Sequence, residues 1–182
     1  MSDAPRERPE SEGRSTRGAV YVEFLISFMP LFCFNLCLVQ FAYLQSASII
    51  VKNATALTTR AAIVIIHDDP KYYGGVPVGQ VTGQRKADIE RAAELALKPL
   101  HLDPGDFSVE MASSYGRDDL VEIKLWVAYG CRVPFARYVV CSGFGGDVAN
   151  YGPPSIWTNG GVQKKLLHGE SALPNQGADY TY

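Results

Sequence analysis

Residues 19–66 read AVYVEFLISFMPLFCFNLCLVQFAYLQSASIIVKNATALTTRAAIVII, a run with no glycine and one proline, Pro30. A stretch of this length without turn formers is expected to make one helix, about 70 Å long at 1.5 Å per residue. Its two halves differ in character. From Phe24 to Leu44 no charge appears for 21 residues, and the polar members are mild: Ser27, Asn35 and Gln40. Roughly 20 apolar helical residues cross a hydrocarbon core of ~30 Å, so this half is expected to span a membrane. Pro30 removes one backbone hydrogen bond and is expected to kink or loosen it. In the second half Ile50, Ala54, Leu57, Ala61 and Val64 recur at spacings of four and three, while Lys52, Asn53, Thr55, Thr59 and Arg60 fall largely elsewhere. That spacing predicts an amphipathic helix with this apolar stripe against a folded domain.

The flanks set the expected orientation. Arg6, Arg8, Arg14 and Arg17 precede the span, against Lys52 and Arg60 shortly after it. Because orientation follows Lys and Arg rather than net charge, the N-terminus is expected in the cytoplasm and the rest of the chain outside, in a bacterium the periplasm. Residues 1–17, rich in Arg, Glu, Ser and Pro, carry no apolar periodicity and read as a disordered leader. A removable secretion signal is the rival reading, with Ser46-Ala47-Ser48 as its cleavage site, but its apolar region is usually only about 7–15 residues. The helical pattern also runs past that point. A formal net charge of −2 over 182 residues gives no basic surface for tracking nucleic acid.

Beyond the helix, residues 67–83 (HDDPKYYGGVPVGQVTG) form a Pro/Gly/Tyr-rich loop. Ile89, Ala93, Ala96 and Leu100 mark a second helix, with Thr82 as candidate N-cap and Pro99 as its stop. Phe107, Val109 and Met111 alternate, as do Val121, Ile123, Leu125, Val127 and Tyr129, and the intervening SSYGRDD is a turn signal. These predict an antiparallel hairpin, with a third, shorter strand over 135–140. The fold class expected is α+β: a long N-terminal transmembrane helix running into a small extracytoplasmic domain, 67–141, of one further helix and a two- or three-stranded antiparallel sheet. Residues 142–182, rich in Gly, Pro, Asn and Tyr, are expected to be irregular, with at most a short strand or helix near 162–167.

The stretch RSTRGAVYVEF, residues 14–24, joins the basic leader to a glycine and, five residues on, to Glu23. A carboxylate costs about 2.5–3.5 kcal/mol at the bilayer centre and less near the interface, so Glu23 can simply rest among headgroups. The block from Arg17 to Phe24 also resembles the class III signal of type IV pilin-like proteins. With the mid-span Pro30 and the Gln/Tyr-bearing outer end, residues 14–66 resemble the N-terminal domain of TadE-like minor pilins, or pseudopilins, of tight-adherence (Tad/Flp) pilus systems. The later helix and hairpin, with VEIKLWVAYGCRVPF, suit that family's small outer domain. The resemblance implies cleavage by a prepilin peptidase between Gly18 and Ala19, removing leader 1–18. It implies that Glu23, followed by Phe24, sets subunit register by pairing with the exposed amine of a neighbouring chain. In a low-dielectric bundle, losing either partner of such a pair is costly. The partners implied are other pilin subunits, the prepilin peptidase, the pilus assembly platform and the lipid bilayer. The location implied is the inner membrane, and onward into a pilus. An uncleaved single-pass anchor for a periplasmic binding or sensory domain is the alternative.

The remaining candidates carry less. Cys131 and Cys141 lie outside the membrane in this topology, where disulfides form; bridging them closes a loop between two strands, and free thiols or a metal pair are the alternatives. Cys33 and Cys37, four apart within the apolar run, read as small packing residues rather than a redox or lipidated pair. His67-Asp68-Asp69 clusters an imidazole with carboxylates, but no second ligand group has recognisable spacing, so no metal is assigned. CSGFGG lacks the Lys-Ser/Thr of a phosphate loop and reads as a turn. No nucleophile motif is present, so neither catalysis nor a cofactor is expected. Tyr72, Tyr73, Tyr151, Trp157, Tyr180 and Tyr182 are candidates for an adhesive or subunit-contact surface.

Overall fold

In the computed structural model, which describes residues 15–103, 105–141 and 164–175, helix α1 runs from Ser15 to Ile66 without a break. At 1.5 Å per residue its 52 residues extend about 78 Å. It includes residues 15–18, so the end of the expected leader is helical. Pro30 sits inside it without ending it. Every described side chain from Val20 to Asn35 is exposed, and Gln40 is the first buried residue. From Gln40 onward the helix enters a head built of α2 (Gln84–Leu97) and strands β1 (Phe107–Met111), β2 (Leu120–Gly130) and β3 (Lys164–Pro174). The architecture is α+β: a long apolar helix, one more helix and a three-stranded antiparallel sheet.

β2 is the central strand, paired with β1 on one side and β3 on the other. Its alternation sends Val121, Ile123, Leu125, Val127 and Tyr129 into the core and leaves Glu122, Lys124 and Trp126 outside. The register continues that inner face onto β3, where Leu167, Gly169, Ser171 and Leu173 oppose Val127, Leu125, Ile123 and Val121. α1 packs against β2, β3 and α2, and Ile89, Ala93 and Leu97 of α2 share the apolar clusters of the inner face of β2, so both helices lie on one face of the sheet.

The stripe expected to bury α1 holds only in part: Ala54 is buried and Ile50 packs against the core, but the buried face turns away from Leu57 and Val64. Leu57 is 54% and Val64 70% exposed, while Ala47, Val51, Ala54, Thr55, Thr58, Thr59, Ala62 and Ile66 are buried. Small side chains decide this. The three threonines each bond back to the carbonyl four residues earlier at 2.8 Å, which satisfies their hydroxyls without a partner from the sheet. The sheet then approaches closely at Gly169, where a Cβ would strike the Thr55 side chain and come within 3.3 Å of the Val51 carbonyl oxygen. A helix face of Ala and Thr admits a backbone where Leu and Val would hold it off.

Two apolar clusters flank the threonines. Leu44, Ala47, Val51, Leu97, Leu125, Val127 and the two outer cysteines form the first, and Ala62, Ile66, Val81, Ile89, Val121 and Ile123 the second. β2 therefore runs from the far end of α1 back toward Gln40.

Three local expectations need correction. The N-cap of α2 is Gly83, not Thr82, and it makes no side-chain capping bond. The α-helix ends at Leu97, and Pro99 lies within the 3-10 turn that follows, Lys98–Leu100. The third strand does not occupy 135–140: Arg137–Cys141 coils into a π-helical turn, and the strand that completes the sheet is Lys164–Pro174, which overlaps the short element expected near 162–167 but runs beyond it. The head therefore extends past residue 141.

Candidate functional site

The apolar half of α1 is a bare stave. The window of highest hydropathy averages 2.0 and has none of its residues buried. Phe24, 60% exposed, stacks on Phe28 with ring centroids 5.4 Å apart, and Phe28 on Phe32 at 5.8 Å. The i,i+4 spacing makes this ladder, a continuous aromatic ridge along one side of the helix. Gly18, Val22, Glu23, Ile26 and Ser27 line a shallow groove near the start of the stave. Glu23 is exposed, and Gly18 has open space where a side chain would stand. The Gly18–Ala19 bond lies within α1. A protease requires extended backbone, so cutting there needs the helix around the bond to unwind, which a glycine eases by about 1 kcal/mol relative to alanine.

The opposite end of the stave is built around Gln40. Its side chain is fully buried, and its Oε1 accepts a hydrogen bond from the Val133 amide at 3.0 Å. Its Nε2 is also buried and has no partner among the described residues. Val133 lies in a loop closed by the disulfide Cys131–Cys141, with Cα atoms 6.7 Å apart. Both cysteines pack with Leu44 and Ala47. The loop thus grips α1 where the bare stave becomes the covered shaft. Cys33 is exposed, Cys37 half-buried, and both are free thiols on the stave.

The His67-Asp68-Asp69 group is occupied with structure. His67 Nε2 bonds Asn175 Oδ1, Asp68 accepts from the Asp69 amide at 2.8 Å and the Tyr73 hydroxyl at 3.3 Å, and Asp69 caps the next turn through the Lys71 amide at 2.9 Å. Among the described residues, no three His, Cys, Asp or Glu side chains converge as a metal site. Tyr72 is 72% exposed, whereas Tyr73 faces Arg85, whose guanidinium carbon lies 4.8 Å from the ring centre. Tyr151, Trp157, Tyr180 and Tyr182 lie outside the described residues, as does CSGFGG after its cysteine.

Arg85 is a residue that the sequence pattern did not single out. It is fully buried, donating to the carbonyls of Asp68 at 2.8 Å, Gln80 at 3.3 Å and Pro77. Its surroundings push the Tyr73 hydroxyl above its ordinary range, through burial first and the Asp68 carboxylate second. An arginine in the first turn of a helix, where the dipole disfavours a cation, was the available signal. On the outer sheet face Trp126 stacks on His168 and donates to Glu110 at 3.1 Å, while Lys124 pairs with Glu122 at 3.0 Å. That pairing lowers the Glu122 carboxyl and raises the Lys124 amine, mainly through the hydrogen bond between them.

No protein-family model matches the chain, and no curated protein or solved structure is significantly similar to it.

Proposed function

We propose that this protein is a membrane-anchored assembly subunit of the minor-pilin kind, whose apolar stave packs beside other staves while its head stays outside. The observation that carries the reading is the division of α1: an exposed, uncharged half with Glu23 at its mouth, continuous with a half locked into the head. Helices in lipid associate through close packing and a few polar contacts. The groove beside Gly18 gives a neighbour somewhere to seat, and Glu23 gives it one charge to meet. Cleavage after Gly18 supplies that charge as the amine of Ala19. In this reading the protein is held in the inner membrane with its N-terminus cytoplasmic, acts in pilus assembly, initiation or adhesion, and performs no catalysis.

N-terminal sequencing of the membrane-extracted protein tests this directly. A chain starting at Ala19 is expected; a chain starting at Met1 overturns it. Glu23→Ala is expected to abolish incorporation into assemblies while leaving membrane insertion intact, read by fractionation and cross-linking. The second reading, an uncleaved anchor for an outer binding or sensory domain, is favoured by one feature: α1 already runs helical through the Gly18–Ala19 bond. It requires Met1 at the N-terminus and indifference to Glu23→Ala.

A further inference from the structure

The loop closed by Cys131 and Cys141 contains, among the described residues, a strained non-glycine turn whose side chain lies exposed. Phe135 has φ 63°, and across it the Ala136 amide donates to the Pro134 carbonyl at 2.8 Å. This is a γ-turn of the positive-φ hand, which is rare and strained for a residue with a Cβ. His101, the other non-glycine residue with positive φ among the described residues, caps a helical turn, a usual place for that conformation. At Phe135 the strain has a visible result. Val133 and Ala136 on either side are buried, at 8% and 1% exposure, while the Phe135 ring between them is thrown outward at 71%. Val139, further round the loop, is 51% exposed. An aromatic held out into water by a strained backbone is a conformation that folding alone would discard, and such strain points to use.

The position of the loop supplies the use. Val133, two residues from Phe135, bonds Gln40, which lies inside the uncharged run that ends at Leu44. Four residues of helix rise about 6 Å, so the loop meets α1 within the outer margin of that run rather than above it. Phe41 and Tyr43, 54% and 52% exposed, girdle α1 at the same level. Arg132 is exposed beside the buried cysteine, a cation where phosphate headgroups would lie. Resting on the membrane reading above, we infer that the 131–141 loop is a foot of the head that enters the outer bilayer interface, with Phe135 and Val139 among the upper acyl chains and Arg132 at the headgroups. Apolar side chains held at the headgroup–acyl boundary fix depth and tilt, as interfacial anchors do. The foot also covers Gln40, so that a polar side chain at this depth faces the head and not lipid.

The test places the photo-reactive residue p-benzoylphenylalanine at position 135 of the full chain, reconstituted into vesicles of phosphatidylethanolamine and phosphatidylglycerol. A second chain carries it at position 32, in the stave. Both positions are exposed, so the substitutions leave the head intact. Irradiation is expected to give lipid adducts at both positions, read by mass spectrometry. Lipid adducts at 32 with none at 135 overturn the foot and leave the membrane reading standing. Adducts from 135 to a second copy of the chain also overturn it, since the ring then serves a subunit contact. Absence of lipid adducts at both positions overturns the membrane reading and the foot with it.

Discussion

Arg85 shows how much one side chain can organise. The loop between α1 and α2 carries few apolar residues and several glycines, and its carbonyls turn inward around the guanidinium. Arg85→Met keeps the volume but leaves the Asp68, Pro77 and Gln80 carbonyls without their donor. Unpaired groups of this kind cost about 1–3 kcal/mol each when buried, and part of the cage is reached by water. A loss of roughly 2–3 kcal/mol is expected, read as a lower denaturant midpoint. Arg85→Lys should recover little, because one ammonium cannot reach three carbonyls set around a planar fork. Tyr115 gives a second residue-scale prediction. Its buried hydroxyl donates to the Glu122 carbonyl at 3.0 Å and accepts from the Ala112 amide at 3.0 Å, and burial pushes it above its usual range. The folded state therefore binds this proton more tightly than the unfolded state does. Its contribution is fully present below pH 10 and is lost as the pH rises through the higher folded value. Alkaline unfolding should be shallower for Tyr115→Phe than for the parent, measured by circular dichroism from pH 9 upward.

At the scale of elements, the disulfide loop and the long helix depend on each other. Bridging residues ten apart removes chain entropy worth about 3 kcal/mol in the loop-closure model. Replacing both Cys131 and Cys141 by Ser is expected to lower head stability by about that amount, checked by urea denaturation with and without reductant. Protection of the Val133 amide from hydrogen exchange should fall with it, since its acceptor Gln40 then loses a fixed partner. The hairpin of β1 and β2 was legible because period-two alternation and a turn signal agree over its whole length. The third strand was legible only as a short strand or helix near 162–167, without its length or its partner. KKLLHGESALP pairs Leu166 with Leu167 and places Gly169 at its middle, so no alternation marks it; the glycine is there because Thr55 occupies the space a side chain would need. The stripe on α1 was misplaced at Leu57 and Val64 for the same cause, since size and not hydropathy chose the buried face there.

At the scale of the whole molecule, the shaft of α1 is the floor of the head, and β3 is the strand that seals it. A chain stopped after Cys141 strips β2 of its β3 partner from Leu120 to Gly130, leaving only its β1 side paired, and uncovers the buried threonines. The head of that truncation is expected to be digested by trypsin under conditions where the full chain resists, while α1 still partitions with membranes. The bare stave was readable from composition alone, because an uncharged helical run of membrane length is set by residue type in any fold. So were the class of the head, α2 and the hairpin, whose periodicities are local. Tertiary structure alone decided the face that α1 buries, the partner of β2, the cage around Arg85 and the loop that grips Gln40. Each depends on how closely two distant backbones approach, and that distance is a property of packed pairs which no single stretch of chain contains.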